Sequence, residues 1–289
     1  MPPCYSTRVK NSTPMAELIE TVRRLRAPGG CPWDRAQTHQ SLRQYLMEEA
    51  HEVLDVLDTI DSAESLKDEK IRAAFREELG DLLMQVVLHA EMAKESGAFD
   101  IHQVAQALNE KLIRRHPHVF GDATADSEES ALVNWEKQKA KEKGGKKDAS
   151  VLDGVPKGLP ALQRAARVIE KVTKVGFQWP DLEGPLEKVR EELAELEVEI
   201  RSYESAKTEA HRKRIESELG DLLFTVANLG YLMKVNPEDA LRAQLHRFEN
   251  RFKHVEKRLK QEGRAPEQAT LAEMDVFWDE AKKIEKAKL

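Results

Sequence analysis

The sequence predicts an all-α protein built from two tandem helical-bundle domains. Three observations carry that expectation. Ala, Leu, Glu and Lys outweigh aromatic and β-branched residues. Apolar residues recur at helical spacing through most of the chain. A pattern of carboxylates, bases and tryptophans is written twice, roughly 140 positions apart. A chain of 289 residues has room for one large domain or two ordinary ones, and the repeat decides for two.

Residues 1–12 mix Pro, Ser, Asn and basic residues without periodicity and read as a disordered tail. Thr13 offers an N-cap with Pro14 at the first helical position, and helix is expected to about Arg26 with Leu18, Val22 and Leu25 on one face. Pro28-Gly29-Gly30 ends it, and Cys31 to His39 read as a loop. From Ser41 to about Ile60, Leu42, Leu46, Val53 and Val56 keep helical spacing, and the missing member of their stripe is Glu49. In the next helix, about Glu69 to Glu95, Phe75 and Leu82 bracket Glu78 in the same way. Helices from about Ile101 to Arg115 and from about Ser127 to Lys143 complete an N-terminal domain over residues 13–143. Residues 144–158, rich in Lys, Gly and Pro, read as a linker.

A C-terminal domain over 159–289 restarts with a helix from about Pro160 to Lys174. Val175-Gly176-Phe177-Gln178-Trp179 then occupies the place of the Trp33 loop. Gly184-Pro185 opens a helix in which Val189 and Leu196 bracket Glu192, and in the following one, about Ala206 to Met233, Ile215 and Leu222 bracket Glu218. Asn236-Pro237 caps a helix with Leu241, Leu245, Phe248 and Phe252 on its apolar side, and Thr270-x-x-Glu273 is a capping box for the last one.

The net charge of −6, with both signs spread along the chain, offers no field for DNA or RNA, so no nucleic-acid partner is expected. No run approaches the roughly 18 apolar residues of a membrane span. Cys4 and Cys31 form neither a CxxC nor a disulfide framework, which points to a reducing cytoplasm. There is no P-loop, dinucleotide fingerprint or GxSxG.

The chemistry lies in the carboxylates. Glu48, Glu49 and Glu52 form EExxE, followed by Glu78 and Asp81 as ExxD; Glu191, Glu192 and Glu195, then Glu218 and Asp221, repeat both. At about 100° per residue, the acids of each EExxE share an arc of roughly 100° and those of each ExxD one of roughly 60°. That face overlaps the apolar stripe, where unpaired anions are destabilising and call for cations. Clustered carboxylate oxygens suit hard divalent ions, Mg²⁺ or Mn²⁺, which keep waters and bridge to phosphates. Each half also supplies a basic pair, Lys111/Arg115 and Arg247/Arg251, and a WxxxK, Trp135/Lys139 and Trp278/Lys282. The combination suggests metal-assisted attack of water on a polyphosphate.

Two alternatives remain: a di-iron carboxylate redox bundle, and a helical scaffold whose acids are merely solvated. Glu48-x-x-His51 fits the di-iron motif once, but Ala194 stands where His51 would repeat, so His51 reads as a surface or second-layer residue. His116 and His118 read as structural. A tryptophan in a helical protein more often belongs to a core, so stacking on a base by Trp33 or Trp179 is the less expected role.

Taken together, CPWD at Cys31 to Asp34, the two EExxE motifs, EELGDLL from Glu77, RRHPHVFGD from Arg114, VGFxW from Val175 and ELGDLLF from Glu218 are similar to the MazG family. The resemblance runs from about Thr13 to the C-terminus. It implies Mg²⁺-dependent hydrolysis of nucleoside triphosphates to monophosphate and pyrophosphate, and a homodimer whose four-helix-bundle core forms on dimerisation. It carries metal-ligand roles to Glu191, Glu192, Glu195, Glu218 and Asp221, and catalytic or supporting roles to Glu192, Glu195, Arg214, Arg247, Arg251, Trp278 and Lys282. Glu48, Glu49, Glu52, Glu78, Asp81, Lys111, Arg115, Trp135 and Lys139 form a second possible site. Arg214 and Arg247 stand where lysine is common in the family, and Ser217 replaces an acid often found before the ExxD glutamate. The C-terminal domain is expected to carry most turnover.

Overall fold

A computed structural model of the chain describes residues 13–142 and 150–287. The expected tail 1–12 and the first part of the expected linker, 144–149, lie outside the described residues. Among the described residues the structure is helical throughout, without a strand, as composition and periodicity predict.

The chain divides into two units, Met1–Lys146 and Lys147–Leu289. The first contains α1 (Pro14–Arg26), α2 (Pro32–Ala36), α3 (Arg43–Leu57), a 3₁₀ turn at Ala63–Lys67, α4 (Glu69–Glu95), α5 (Ile101–Arg115), α6 (Pro117–Phe120) and α7 (Glu128–Glu142). The second contains α8 (Ala161–Thr173), α9 (Glu183–Ser205), α10 (Glu209–Leu232), α11 (Pro237–Gln261), a 3₁₀ turn at Pro266–Gln268 and α12 (Leu271–Lys286).

Local chemistry sets many of these boundaries. Ala16 N–H donates to Thr13 Oγ1 at 3.3 Å, with Pro14 in the first turn. Asn236 Oδ1 accepts from the Glu238 amide at 3.1 Å ahead of α11. Thr270 and Glu273 exchange the two bonds of a capping box at 3.3 and 2.8 Å. The Cys31–His39 segment is not all loop, because Pro32 starts the short α2, and α9 begins at Glu183, slightly before Gly184-Pro185.

In the first unit Val22, Leu42, Val87, Leu88 and Met92 form a core between α1, α3 and α4. In the second, Val255, Leu259 and Phe277 join α11 to α12. Leu259 is fully buried, and burying such a side chain contributes about 1.5–3 kcal/mol. α11 departs from expectation: Leu241, Leu245, Phe248 and Phe252 are exposed, while the core contacts come from its C-terminal half.

In each unit two helices form the hairpin that carries the acids, α3 with α4 and α9 with α10. Helical register thereby turns EExxE toward ExxD.

Candidate metal centre

In the second unit, Glu192 projects from α9 and Glu218 and Asp221 from α10, each with a carboxylate oxygen within 4.8 Å of the others. Glu192 is only 5% exposed, because its place in the stripe with Leu196 turns it into the hairpin. Lys188, one turn earlier on α9, is 2.7 Å from both Glu192 and Glu191. Those two carboxylates hold the Lys188 ammonium well above its ordinary range. Burial, then the neighbouring charges of Glu195, Asp221, Glu192 and Glu199, push the Glu218 carboxyl upward.

The first unit builds the same kind of group from Glu49 and Glu52 of α3 and Glu78 of α4, again within 4.8 Å. Burial is the main cause raising Glu49, with Asp81 and Glu52 adding repulsion; Glu78 is raised by burial, Glu52, Asp81 and Glu77. Gln85, 2% exposed, donates to Glu49 at 3.4 Å. At the same offset that relates Glu78 to Glu218, the second unit has Thr225.

The hairpins therefore gather Glu49, Glu52 and Glu78, and Glu192, Glu218 and Asp221. Asp81 and Glu195 stand close enough to raise their neighbours. Glu48 and Glu191 are exposed and lie outside the two groups, Glu191 being engaged with Lys188. Each group is an all-oxygen, mutually repelling donor set of the kind a hard divalent cation relieves, so both fit Mg²⁺ or Mn²⁺. His51 is exposed, with its Nδ1 at 2.6 Å from the Met47 carbonyl, away from the role of a di-iron ligand.

The basic and aromatic residues find their partners outside the two carboxylate groups. Arg251 is bonded to Glu285 at 2.8 Å and lies 5.7 Å from the centre of the Trp278 ring, which packs on Phe248 at 4.9 Å. Arg247 is bonded to Gln244 and Lys282 to Asp279, each one turn away on its own helix. Arg247, Arg251 and His254 line an open cavity of about 420 Å³. In the first unit Arg115 pairs with Glu142 and lies 5.2 Å from the Trp135 ring, over which Lys139 sits at 4.4 Å, while Lys111 is half-buried on α5. Arg214 is bonded to Glu199 at 2.8 Å, one turn beyond Glu195.

Sequence reasoning passed over Lys188 and Glu199, although both continue the i, i+4 ladder through Glu192 and Glu195. The two loop tryptophans are not core residues: Trp33 is 53% exposed and Trp179 39%.

Comparison with known proteins places these hairpins. The profile of the MazG nucleotide pyrophosphohydrolase domain matches residues 37–120 and 182–256, so each match contains one acidic hairpin. The chain is 43% identical to nucleoside triphosphate pyrophosphohydrolase/pyrophosphatase MazG of Thermotoga maritima, over 92% of this chain and 94% of that protein. It is 38% identical to nucleoside triphosphate pyrophosphohydrolase of Escherichia coli K12, over 93% and 97%. It is also 42% identical to uncharacterized protein YabN of Bacillus subtilis, over 92% of this chain and 51% of that protein. With two matches spanning more than half its length and relatives aligned nearly end to end, the chain belongs to the MazG nucleotide pyrophosphohydrolase family.

Proposed function

We propose that the protein hydrolyses nucleoside triphosphates to nucleoside monophosphate and pyrophosphate with Mg²⁺, mainly at the second unit, within two MazG-type domains over 13–143 and 159–289. The observation that carries this reading is the convergence of Glu192, Glu218 and Asp221 on a hairpin matched by the family profile. A bound divalent cation would lower the pKa of a water molecule and neutralise phosphate oxygens. Glu192, Glu218 and Asp221 would hold it, with Glu191 as a further ligand, once Lys188 gives up its pairs with Glu191 and Glu192. Glu195, near enough for its charge to act on Glu218, would take the proton as the water oxygen bonds to the α-phosphorus and the bridging oxygen departs with pyrophosphate. Arg214, Arg247, Arg251 and Lys282 balance phosphate charge, and Trp278 steadies the Arg251 guanidinium.

Preference for the second unit is supported by the contrast in partners: the neutral Gln85 amide is bonded to Glu49, whereas Glu192 is paired with the Lys188 ammonium, a cation that keeps its carboxylate ionised for a metal to replace. A homodimer is supported by Leu219, Leu223 and Val226, an exposed stripe on α10, and by the exposed Leu193 of α9. Pairing two such hairpins makes a four-helix bundle. Cys31 is a free thiol, which fits the reducing cytoplasm as its location.

The test is a comparison of Glu192→Gln with Glu49→Gln in the full chain. Loss of at least a hundredfold in kcat is expected for the first and less than threefold for the second; the opposite ranking would move catalysis to the first unit.

A further inference from the structure

The second unit carries a cavity that the metal group does not use. It measures about 640 Å³, within the size range of small-molecule sites, and is walled by Val172, Phe177, Trp179 and Phe224, with Gln178 and Asn228 as its polar members. Phe177 is 78% exposed and Trp179 39%, so two aromatic faces stand in solvent at its mouth. Trp179 is seated against α9 so closely that a Cβ on Gly184 would lie 2.1 Å from its Cδ1. Glycine at 184 is therefore a condition of this wall.

The cavity is at one end of the acidic hairpin. Asn228 follows Asp221 by seven residues on α10, which puts it on the same helical face and about 10 Å further along the axis. On α9, Gly184 precedes Glu192 by eight residues, a similar distance in the matching direction. An extended nucleotide spans such a separation between its base and its phosphates.

The hydrogen bonds fix what the cavity offers. The Trp179 backbone N–H can only donate, and it donates to Gln178 Oε1 at 2.9 Å. Gln178 Nε2 must then be the donor to Asn228 Oδ1 at 2.8 Å and to Thr173 Oγ1 at 3.1 Å. Asn228 is thereby oriented with its oxygen spent and its NH₂ group unpaired among the described residues, although the residue is only 7% exposed. Asn228 lines the cavity, so a ligand there meets amide donors that the protein leaves free. The repeat sharpens the point: at the offset that relates Glu78 to Glu218, the first unit has Leu88, a core residue 3% exposed, where the second has Asn228.

We propose that this cavity is a nucleobase subsite which selects bases carrying an oxo group at the edge read by Asn228. Guanine, hypoxanthine, uracil and thymine present an acceptor there, whereas adenine and cytosine present an amino donor. Aromatic stacking holds the ring and the Asn228 NH₂ reads the edge. This inference rests on the proposed triphosphate hydrolysis and adds its selectivity.

The test measures kcat/KM for GTP, UTP, ATP and CTP with the full chain and Mg²⁺. At least a tenfold preference for GTP and UTP, expressed chiefly in KM, is expected of the parent protein. Asn228→Leu, which installs the residue the first unit already accommodates, brings the ratio near one. Gln178→Glu turns its neighbour round, since a carboxylate can only accept from Asn228, and shifts the ratio toward ATP and CTP. Equal kcat/KM for all four in the parent, or an unchanged ratio in both variants, overturns the proposal. Binding of GMP, UMP, AMP and CMP, followed by fluorescence quenching that Trp179→Phe removes, gives a second readout independent of turnover. Selective quenching by GMP and UMP supports the subsite; no quenching, or equal quenching by all four, refutes it. If no triphosphate yields monophosphate and pyrophosphate, it is the proposed reaction that falls, and the binding ratio still decides the subsite.

Discussion

Replacing Glu192 by Gln separates metal binding from folding. The side chain is 5% exposed, and the amide keeps its shape, while Lys188 retains Glu191 as a partner. The metal-free protein should therefore unfold within a few degrees of the parent. Mg²⁺ at a hundred times its Kd stabilises the parent by about 2.7 kcal/mol. For a unit of 143 residues from Lys147 to Leu289, an unfolding entropy of about 2.1 cal/mol/K per residue converts this to a rise of about 9 °C. Loss of one of three converging carboxylates, weakening the metal about a hundredfold, leaves only about 0.4 kcal/mol, or about 1 °C, at the same concentration. Scanning calorimetry with EDTA and with Mg²⁺ reads both states. A Glu192→Gln protein that kept the whole Mg²⁺-dependent rise would refute the placement of the ion.

Three further outcomes follow from packing and charge. Leu259→Ala, at a fully buried position against Val255 and Phe277, should cost about 2–5 kcal/mol and lower the calorimetric midpoint of the second unit. Burial, with the neighbouring His39 ring at 2.8 Å between Nδ1 atoms, holds the His89 pKa below its ordinary 6.5. The unfolded chain then binds the proton more readily, so the first unit should lose stability as pH falls below 6.5, and His89→Leu should flatten that slope in pH-dependent melts. Arg264 and the Thr270 cap hold Glu273 at about 2, down from 4.5, so its stabilisation is complete above 4.5 and disappears as pH falls toward 2. Acid titration of Glu273→Gln followed by circular dichroism should lack that limb.

What the sequence made legible was local. Thr13, Asn236 and Thr270 could be named as caps because a cap is a contact within four residues. α2, of five residues, is too short to show a helical period, so its residues read as loop. EExxE and ExxD were legible as faces, yet which oxygens converge depends on how two helices cross. Glu192 is turned inward and Glu191, its neighbour about 100° round the helix, is left with Lys188. The stripe Leu241, Leu245, Phe248 and Phe252 illustrates the opposite failure: its periodicity announces an apolar face, while what covers that face is a matter of tertiary or quaternary structure. The amide chain from Trp179 through Gln178 to Asn228 joins residues 50 apart in sequence and was invisible before the fold.

The central claim is that a carboxylate-held Mg²⁺ directs water to the bond between the α and β phosphates. Its most direct test is the product balance of the full chain with one nucleoside triphosphate and Mg²⁺, resolved by ion-exchange chromatography beside an EDTA control. Equimolar nucleoside monophosphate and pyrophosphate, formed only with the metal and reduced at least a hundredfold by Glu192→Gln, is the predicted result. Nucleoside diphosphate with inorganic phosphate, or turnover indifferent to EDTA, would contradict it.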